Sequence, residues 1–131
     1  MYLVDTNIFL ETLLDQEKAA EVQSFLRSID LNIIFMTDFS LYSIGITLFR
    51  LKKSALFTSF LEDIVVNGID ILSLDPEDLK TLDQSVQNFN LDFDDAYQYA
   101  VAEKHDLQLV SFDKDFDRTE RNRKEPAEVL E

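Results

Sequence analysis

Short apolar segments alternate with longer segments of helical period along this chain, and this alternation restricts its fold more than any other feature of the sequence. The short segments, each long enough only for a strand, are residues 1–4, 33–36, 69–74 and 107–111. Strands that alternate with helices form a mostly parallel sheet covered by helices on both faces. The predicted fold class is therefore α/β, a three-layer α/β/α sandwich with a mostly parallel central sheet.

The spacing of apolar side chains predicts helices at residues 6–14, 19–29, 56–67, 75–89 and 94–105. Asn67-Gly68 is a typical helix stop, and Asp75-Pro76 is a typical helix start. We assign the acids beside Pro76 to capping of that helix. The chain has no internal repeat and no linker-like tract, so we expect residues 1–131 to form a single domain.

Residue types that the chain lacks exclude several kinds of chemistry. The absence of cysteine rules out disulfide scaffolds, thiolate metal sites and cysteine nucleophiles. The two glycines, Gly45 and Gly68, are too few for a glycine-rich phosphate loop. His105 is the only histidine, and it lies near a predicted helix C-terminus, where a cation is favoured. Carboxylate chemistry remains, and it suits hard ions such as Mg²⁺ and Mn²⁺.

The chain is strongly acidic, with a formal net charge of -14. Nucleic-acid binders are usually basic, although divalent cations can neutralise a carboxylate cluster and bridge it to phosphate. The acidity also suits a basic protein partner. We expect a cytoplasmic protein, because no secretory leader and no membrane span is evident. The cations form two clusters, one at residues 50–53 and the other made of Arg118, Arg121, Arg123 and Lys124. They are either phosphate contacts or ordinary solvated side chains.

Two aspartates follow predicted strands. Asp5 comes directly after the first strand, and Asp113 lies just beyond the last, with Asp115 two residues later. Ligands of open parallel sheets bind at the carboxyl ends of the strands, so both positions suit a site. Each also has a structural alternative, because Asp5 can cap the helix that follows it and Asp113 can belong to a polar turn.

A third acidic group, Asp92, Asp94 and Asp95, opens the helix at residues 94–105. Asp92 and Asp95 can form a capping pair. Apolar neighbours predict a centrally packed helix, and acids close to it repel one another unless a cation compensates. If the strand and helix ends converge, Asp5, Asp95 and Asp113 form an anionic pocket. Two divalent ions about 3.5–4 Å apart could bind there and flank a phosphate.

Three motifs resemble, in order, those of the PIN-domain nucleases, a family that includes the VapC-type toxins of toxin–antitoxin pairs. Residues 3–7, Leu-Val-Asp-Thr-Asn, resemble the first family motif. Residues 94–96, Asp-Asp-Ala, followed by Tyr-Ala-Val-Ala at 99–102, resemble the third. Residues 109–116 resemble the last, with Ser111 where threonine is commoner. The resemblance extends over nearly the whole chain.

This resemblance implies a PIN-like fold and RNA cleavage that depends on Mg²⁺ or Mn²⁺. It also implies a homodimer, since dimers are frequent in the family, and an antitoxin that blocks the site. With an RNA substrate, Arg118, Arg121, Arg123 and Lys124 become candidate RNA-phosphate contacts. Asp5, Asp95 and Asp113 would be the catalytic metal ligands. Asp115 would assist them, and Asn7 and Ser111 would hydrogen-bond to the ligands.

One segment departs from the family pattern. The family usually carries a glutamate on the helix after the second strand, and Ser43 stands at that position here. The nearest acid is Asp38, at the start of the helix. Either Asp38 contributes to metal binding from another angle, or the site has one ligand fewer.

Three alternatives to a nuclease are compatible with parts of the sequence. The missing glutamate allows a catalytically weak PIN-like module that binds a protein partner. A phosphatase with an aspartyl nucleophile needs a second acid two residues after the first, where this chain has Asn7. A receiver-like domain needs a lysine beyond a late strand, and no lysine matches well.

Overall fold

A computed structural model describes residues 1–130. Its four strands are β1 (Tyr2–Val4), β2 (Ile34–Thr37), β3 (Asp70–Leu72) and β4 (Gln108–Val110). They form one sheet in the order β3-β2-β1-β4, in which every neighbouring pair is parallel. Each strand overlaps one of the four apolar segments, so the predicted parallel sheet is confirmed.

The eight α-helices of residues 1–130 are α1 (Thr6–Leu13), α2 (Ala19–Ser28), α3 (Asp38–Arg50), α4 (Ser54–Asn67), α5 (Pro76–Leu79), α6 (Leu82–Phe89), α7 (Phe93–His105) and α8 (Pro126–Val129). Two short 3-10 helices lie at Leu31–Ile33 and Lys114–Arg118. Gly68 ends α4 in the left-handed conformation, with φ 69°, which glycine adopts without a steric cost. Asp75 and Asp78 form a capping box around Pro76 at the start of α5. The assignment of these acids to capping is therefore confirmed.

The single helix predicted at residues 75–89 is wrong in one respect, because the structure divides it into α5 and α6. The break lies at Lys80–Thr81. The Thr81 backbone N–H and its hydroxyl both donate to the carbonyl oxygen of Asp78, at 3.1 and 2.8 Å. Threonine side chains that bond to nearby backbone groups compete with helix propagation in this way.

Successive strand residues point to opposite faces of the sheet and feed two cores. Val4 and Val110 pack with side chains of α1, α2, α3 and α4 on one face. Leu3 and Leu109 pack with side chains of α6 and α7 on the other. Seven of the 13 residues of α7 are buried, as the apolar neighbours of its acids predicted. Helices on both sheet faces confirm the three-layer arrangement.

The chain after β4 folds back along that strand. The Lys124 backbone N–H donates to Leu109 O at 2.9 Å, and Ser111 N–H donates to Lys124 O at 3.0 Å. The Arg123 side chain, only 9% exposed, lies within salt-bridge distance of Asp117 and Glu125. The polar tail is therefore part of the packed structure. Within residues 1–130, no helix combines the length and the apolar character that crossing a membrane requires.

Candidate metal centre

A pocket opens at the carboxyl edge of the sheet, beside the neighbouring strands β1 and β4. The chain leaves β1 toward β2 on one side, while β4 lies on the other side. Such a topological switch point leaves a crevice between the connections. The pocket encloses about 190 Å³. Its lining residues are Asp5, Thr6, Asn7, Leu10, Phe39, Ser43, Asp94, Asp95, Gln98 and Asp113.

Asp5 lies between the end of β1 and the start of α1, and its carboxylate accepts four hydrogen bonds. Oδ1 accepts from Thr6 N at 2.8 Å and from Gln98 Nε2 at 2.9 Å. Oδ2 accepts from Ser111 Oγ at 2.7 Å and from Asn7 Nδ2 at 3.4 Å. Asp5 therefore caps α1 and lines the pocket at the same time. Burial raises the pKa of Asp5, while these donors act in the opposite direction.

Asp95 is the least compensated charge of the pocket. It is 7% exposed, and its Oδ2 is buried with no hydrogen-bond partner in residues 1–130. Its backbone N–H donates to Asp92 Oδ1 at 3.0 Å, so Asp92 caps α7. Burial, followed by the charges of Asp113 and Asp92, raises the pKa of Asp95 to about 8.

Asp113 and Asp115 face Asp95 from the turn that follows β4. One carboxylate oxygen from each of the three residues lies within 4.8 Å of the others. Asp113 Oδ1 accepts from Asp115 N at 2.9 Å, which holds the turn together. Asp115 Oδ1 accepts from Arg118 Nη1 at 3.2 Å. The donor set is entirely oxygen and includes a buried unpaired carboxylate oxygen, so these residues fit a hard divalent cation.

The two hydrogen-bonding side chains suggested by the family resemblance lie beside Asp5. Asn7 Nδ2 and Asp113 N both donate to Ser111 Oγ, at 3.2 and 3.0 Å. Phe112 N donates to Asn7 Oδ1 at 3.2 Å. The end of β4 is therefore connected to the start of α1 through side chains as well as through the sheet.

Asp38 is not brought to the other acids. Its Oδ1 accepts from Tyr97 OH at 2.7 Å and from Phe39 N at 2.8 Å. The Tyr97 hydroxyl also accepts from Leu74 N at 3.0 Å. Asp38 therefore joins the start of α3 to α7 outside the pocket lining, because the Tyr97 hydroxyl offers its carboxylate a nearby donor. Ser43, in contrast, lines the pocket without adding a charge.

Three of the four proposed phosphate contacts are engaged within the chain. Arg118 donates to Phe89 O and Asn90 O at 2.9 and 2.6 Å. Arg121 pairs with Asp106 at 2.9 Å, and Arg123 donates to Ser111 O at 3.0 Å. These guanidinium groups join the tail to the ends of α6, α7 and β4. Among the four, only the Lys124 side chain has no ion pair or hydrogen bond within residues 1–130.

Gln98 is a site residue that the motifs did not reveal. It lies on α7, is 2% exposed, and contacts Asp5, Ser40 and Thr37. Its position three residues after Asp95 on a helix is a usable signal, because such residues share a helix face. A glutamine among tyrosine, alanine and valine on a buried helix needs polar partners.

Comparisons with known proteins agree with this arrangement. The PIN domain family model matches residues 2–122. A complex described as FitAB bound to an IR36 DNA fragment is 21% identical, with a TM-score of 0.79 over 96% of this chain and 95% of that chain. Mycobacterium tuberculosis VapC20, described as a Sarcin-Ricin loop cleaving toxin, is 14% identical, with a TM-score of 0.76 over 89% and 93%.

VapBC2 from Rickettsia felis, bound to a DNA fragment from its promoter, is 18% identical, with a TM-score of 0.73 over 95% of this chain and 96% of that chain. At these identities the likeness establishes the fold alone. No curated protein matches the sequence significantly.

Proposed function

This chain belongs to the PIN domain family, and from that premise we propose that it is a metal-dependent endoribonuclease that hydrolyses RNA phosphodiester bonds. PIN domains are generally nucleases that use divalent metals. Two observations support the proposal most directly: Asp95 Oδ2 is buried and has no hydrogen-bond partner in residues 1–130, and Asp95 belongs to a carboxylate cluster with Asp113 and Asp115. Leaving a buried carboxylate uncompensated costs free energy, and a bound cation removes that cost.

We propose Asp95 and Asp113 as direct ligands of Mg²⁺ or Mn²⁺, with Asp115 beside them and Asp5 as the fourth carboxylate. Asp5 accepts four hydrogen bonds, of which the one from Asn7 Nδ2 is the longest at 3.4 Å. A cation that approached Oδ2 would replace this bond at the smallest cost. When bound, a divalent cation lowers the pKa of water and neutralises charge on the phosphate. Asp115 and Asp38 stay secondary candidates, and the position of Asp38 argues against it.

The protein supplies orientation around this centre. Ser111 and Gln98 hold the two oxygens of Asp5 from opposite sides. Phe93, 55% exposed, packs against Phe39 and Tyr97, with ring centroids 6.1 and 6.2 Å apart. Phe39 itself lines the pocket. An exposed aromatic ring beside a phosphate site suits the unstacked bases of single-stranded RNA.

We further propose that the chain is the toxin of a toxin–antitoxin pair and pairs with an antitoxin and with a second copy of itself. Structures of similar fold are toxin–antitoxin complexes. On α3, the side chains of Tyr42, Ile46 and Phe49 are 65%, 53% and 61% exposed. Their spacing puts them on adjoining parts of one helix surface, which suits a protein partner. We also propose a single domain at residues 1–131, although Glu131 lies outside the described residues.

The test is cleavage of a mixed RNA pool by purified protein, free of any partner, with Mn²⁺, with Mg²⁺ and with chelator. We expect metal-dependent cutting that is lost in Asp5→Asn and Asp95→Asn. Glu103→Gln makes the same charge change on the exposed side of α7 and should cut normally. A folded wild-type protein that binds Mn²⁺ but cuts no RNA would instead support the alternative, a PIN-like module that binds a protein partner.

A further inference from the structure

Gln98 is a buried amide whose polar atoms all have partners. Its Nε2 donates to Asp5 Oδ1 at 2.9 Å and to Ser40 Oγ at 2.8 Å. Its Oε1 accepts from Thr37 Oγ1 at 2.7 Å. Asp5 caps α1, and the other three residues lie on β2, α3 and α7, so the amide joins four parts of the fold at the pocket.

The carboxylate of Asp5 fixes which way this amide points, because an ionised carboxylate only accepts hydrogen bonds. The Nε2 group therefore faces Asp5 and Ser40. On the other side, Thr37 Oγ1 accepts from the backbone N–H of Ser40 at 2.9 Å and donates its proton to Gln98 Oε1 at 2.7 Å. The Thr37 and Ser40 side chains are fully buried, so water does not compete for these bonds.

We propose that Gln98 is a positioning residue for the metal centre, which holds Asp5 in its binding orientation by donating to Oδ1. The inference rests on the proposed function, since it assigns Gln98 a task in the same site. Within residues 1–130, Thr6 N is the only other donor to Oδ1, and it belongs to the helix cap. The amide therefore controls rotation of the carboxylate about its bond to Cβ, whereas Ser111 controls the opposite oxygen.

The neutral charge of Gln98 matters because the pocket is already crowded with carboxylates. A glutamate at position 98 would have no proton to donate at neutral pH and would face Asp5 at about the same 2.9 Å separation. Ser43 adds no charge from α3. The helix α7 contributes Asp94, Asp95 and Gln98 to the pocket lining, and of these three Gln98 is the neutral donor.

The test compares Gln98→Met, which keeps the volume but removes the amide, with Gln98→His, whose Nε2 can restore the donor. Mn²⁺ affinity is measured by isothermal titration calorimetry, and kcat and KM are measured on a single-stranded RNA. We expect Gln98→Met to weaken Mn²⁺ binding about 10–100-fold, as changes behind metal ligands do. The value of kcat should fall, the KM for RNA should change less than about twofold, and Gln98→His should recover most of the loss.

Val101→Ala is the matched control, because Val101 is fully buried on the same helix and lies outside the hydrogen-bond network of Asp5. It should melt at a lower temperature and bind Mn²⁺ like the wild type. Should Gln98→Met not fold, Thr37→Val removes the hydroxyl that donates to Gln98 Oε1, together with its cap on Ser40 N–H, and it should show part of the same loss in Mn²⁺ affinity.

The outcomes separate this inference from the proposed function. Weakened Mn²⁺ binding in Gln98→Met, in a protein that cuts no RNA, supports the positioning role and overturns the ribonuclease. Active wild-type protein with unchanged Mn²⁺ affinity in folded Gln98→Met overturns the positioning role alone. The positioning role is also overturned if Val101→Ala loses as much Mn²⁺ affinity as Gln98→Met, or if the wild type binds no Mn²⁺.

Discussion

Replacing Asp95 with asparagine should stabilise the metal-free protein, although it removes a proposed metal ligand. The folded state raises the pKa of Asp95 from 3.8 to about 8, mainly by burial and then by the charges of Asp113 and Asp92. The folded state therefore keeps a proton that the unfolded state releases. Stability must fall as pH rises from about 4 to about 8, because the folded protein binds more protons over that range.

The magnitude follows from the size of this shift. A rise from 3.8 to about 8 corresponds to at most ~6 kcal/mol. Water reaches the pocket and screens part of the charge, so we expect about 2–4 kcal/mol. An asparagine at this position carries no charge, and its amide can donate to Asp113. The free-energy cost of ionising residue 95 in the folded protein should therefore be absent in Asp95→Asn at high pH.

The assay is urea unfolding followed by circular dichroism, with chelator, at pH 5, 7 and 9. The stability of Asp95→Asn relative to the wild type should grow by about 1–2 kcal/mol between pH 5 and pH 9, because the part of the change between pH 4 and pH 5 lies below this range. The control is Glu103→Gln, at an exposed position on α7. Its free energy of unfolding relative to the wild type should change little with pH. Saturating Mn²⁺ should stabilise the wild type by about 2.7 kcal/mol at 100 times Kd and should leave the variant unchanged. A pH-independent difference, or a less stable variant at pH 9, would refute the reasoning.

Three further changes test other parts of the structure. Asp38→Asn should leave Mn²⁺ affinity within about twofold in calorimetry, because its carboxylate bonds to Tyr97 outside the pocket; a larger loss would mean that Asp38 reaches the metal. Arg123→Met should cost about 1–3 kcal/mol in urea unfolding, because the largely buried guanidinium no longer donates to the Ser111 carbonyl oxygen and no longer holds the tail against β4, and an unchanged midpoint would contradict this. Gly68→Ala should lower stability by about 1 kcal/mol, since its φ of 69° strains any other side chain, and Gly68→Asn should cost less.

The position of Asp5 and Asp113 could be predicted because it depends on backbone geometry alone. Short apolar strands joined by helical connections are expected to run parallel, and the carboxyl ends of neighbouring parallel strands lie at one edge of the sheet. The spacing within the first and last motifs then puts both aspartates at that edge. The fully parallel sheet and the pocket at β1 and β4 agree with this argument.

The side-chain partners could not be predicted, because they depend on which distant segments meet. Asp38 bonds to Tyr97, 59 positions away in the chain, and Gln98 bonds to Asp5, 93 positions away. No local pattern distinguishes an aspartate at a helix start that faces the pocket from one that faces a tyrosine. For the same reason the arginines of the tail looked like phosphate ligands, whereas tertiary contacts use them within the chain.

The sequence allows capping and metal binding as alternative roles for the same aspartates, and in the structure capping does not use every carboxylate oxygen. Asp5 caps α1 with Oδ1, while Oδ2 is held toward the pocket by Ser111. At α7 the two roles fall on different residues, because Asp92 makes the cap and leaves the Asp95 carboxylate without a backbone donor. A cap stabilises a helix by about 1 kcal/mol, whereas a buried unpaired carboxylate destabilises the fold. If the Asp95 carboxylate serves a ligand, as we propose, this cost is offset when the ligand binds, and Asp95→Asn should have opposite effects on stability and on Mn²⁺ binding.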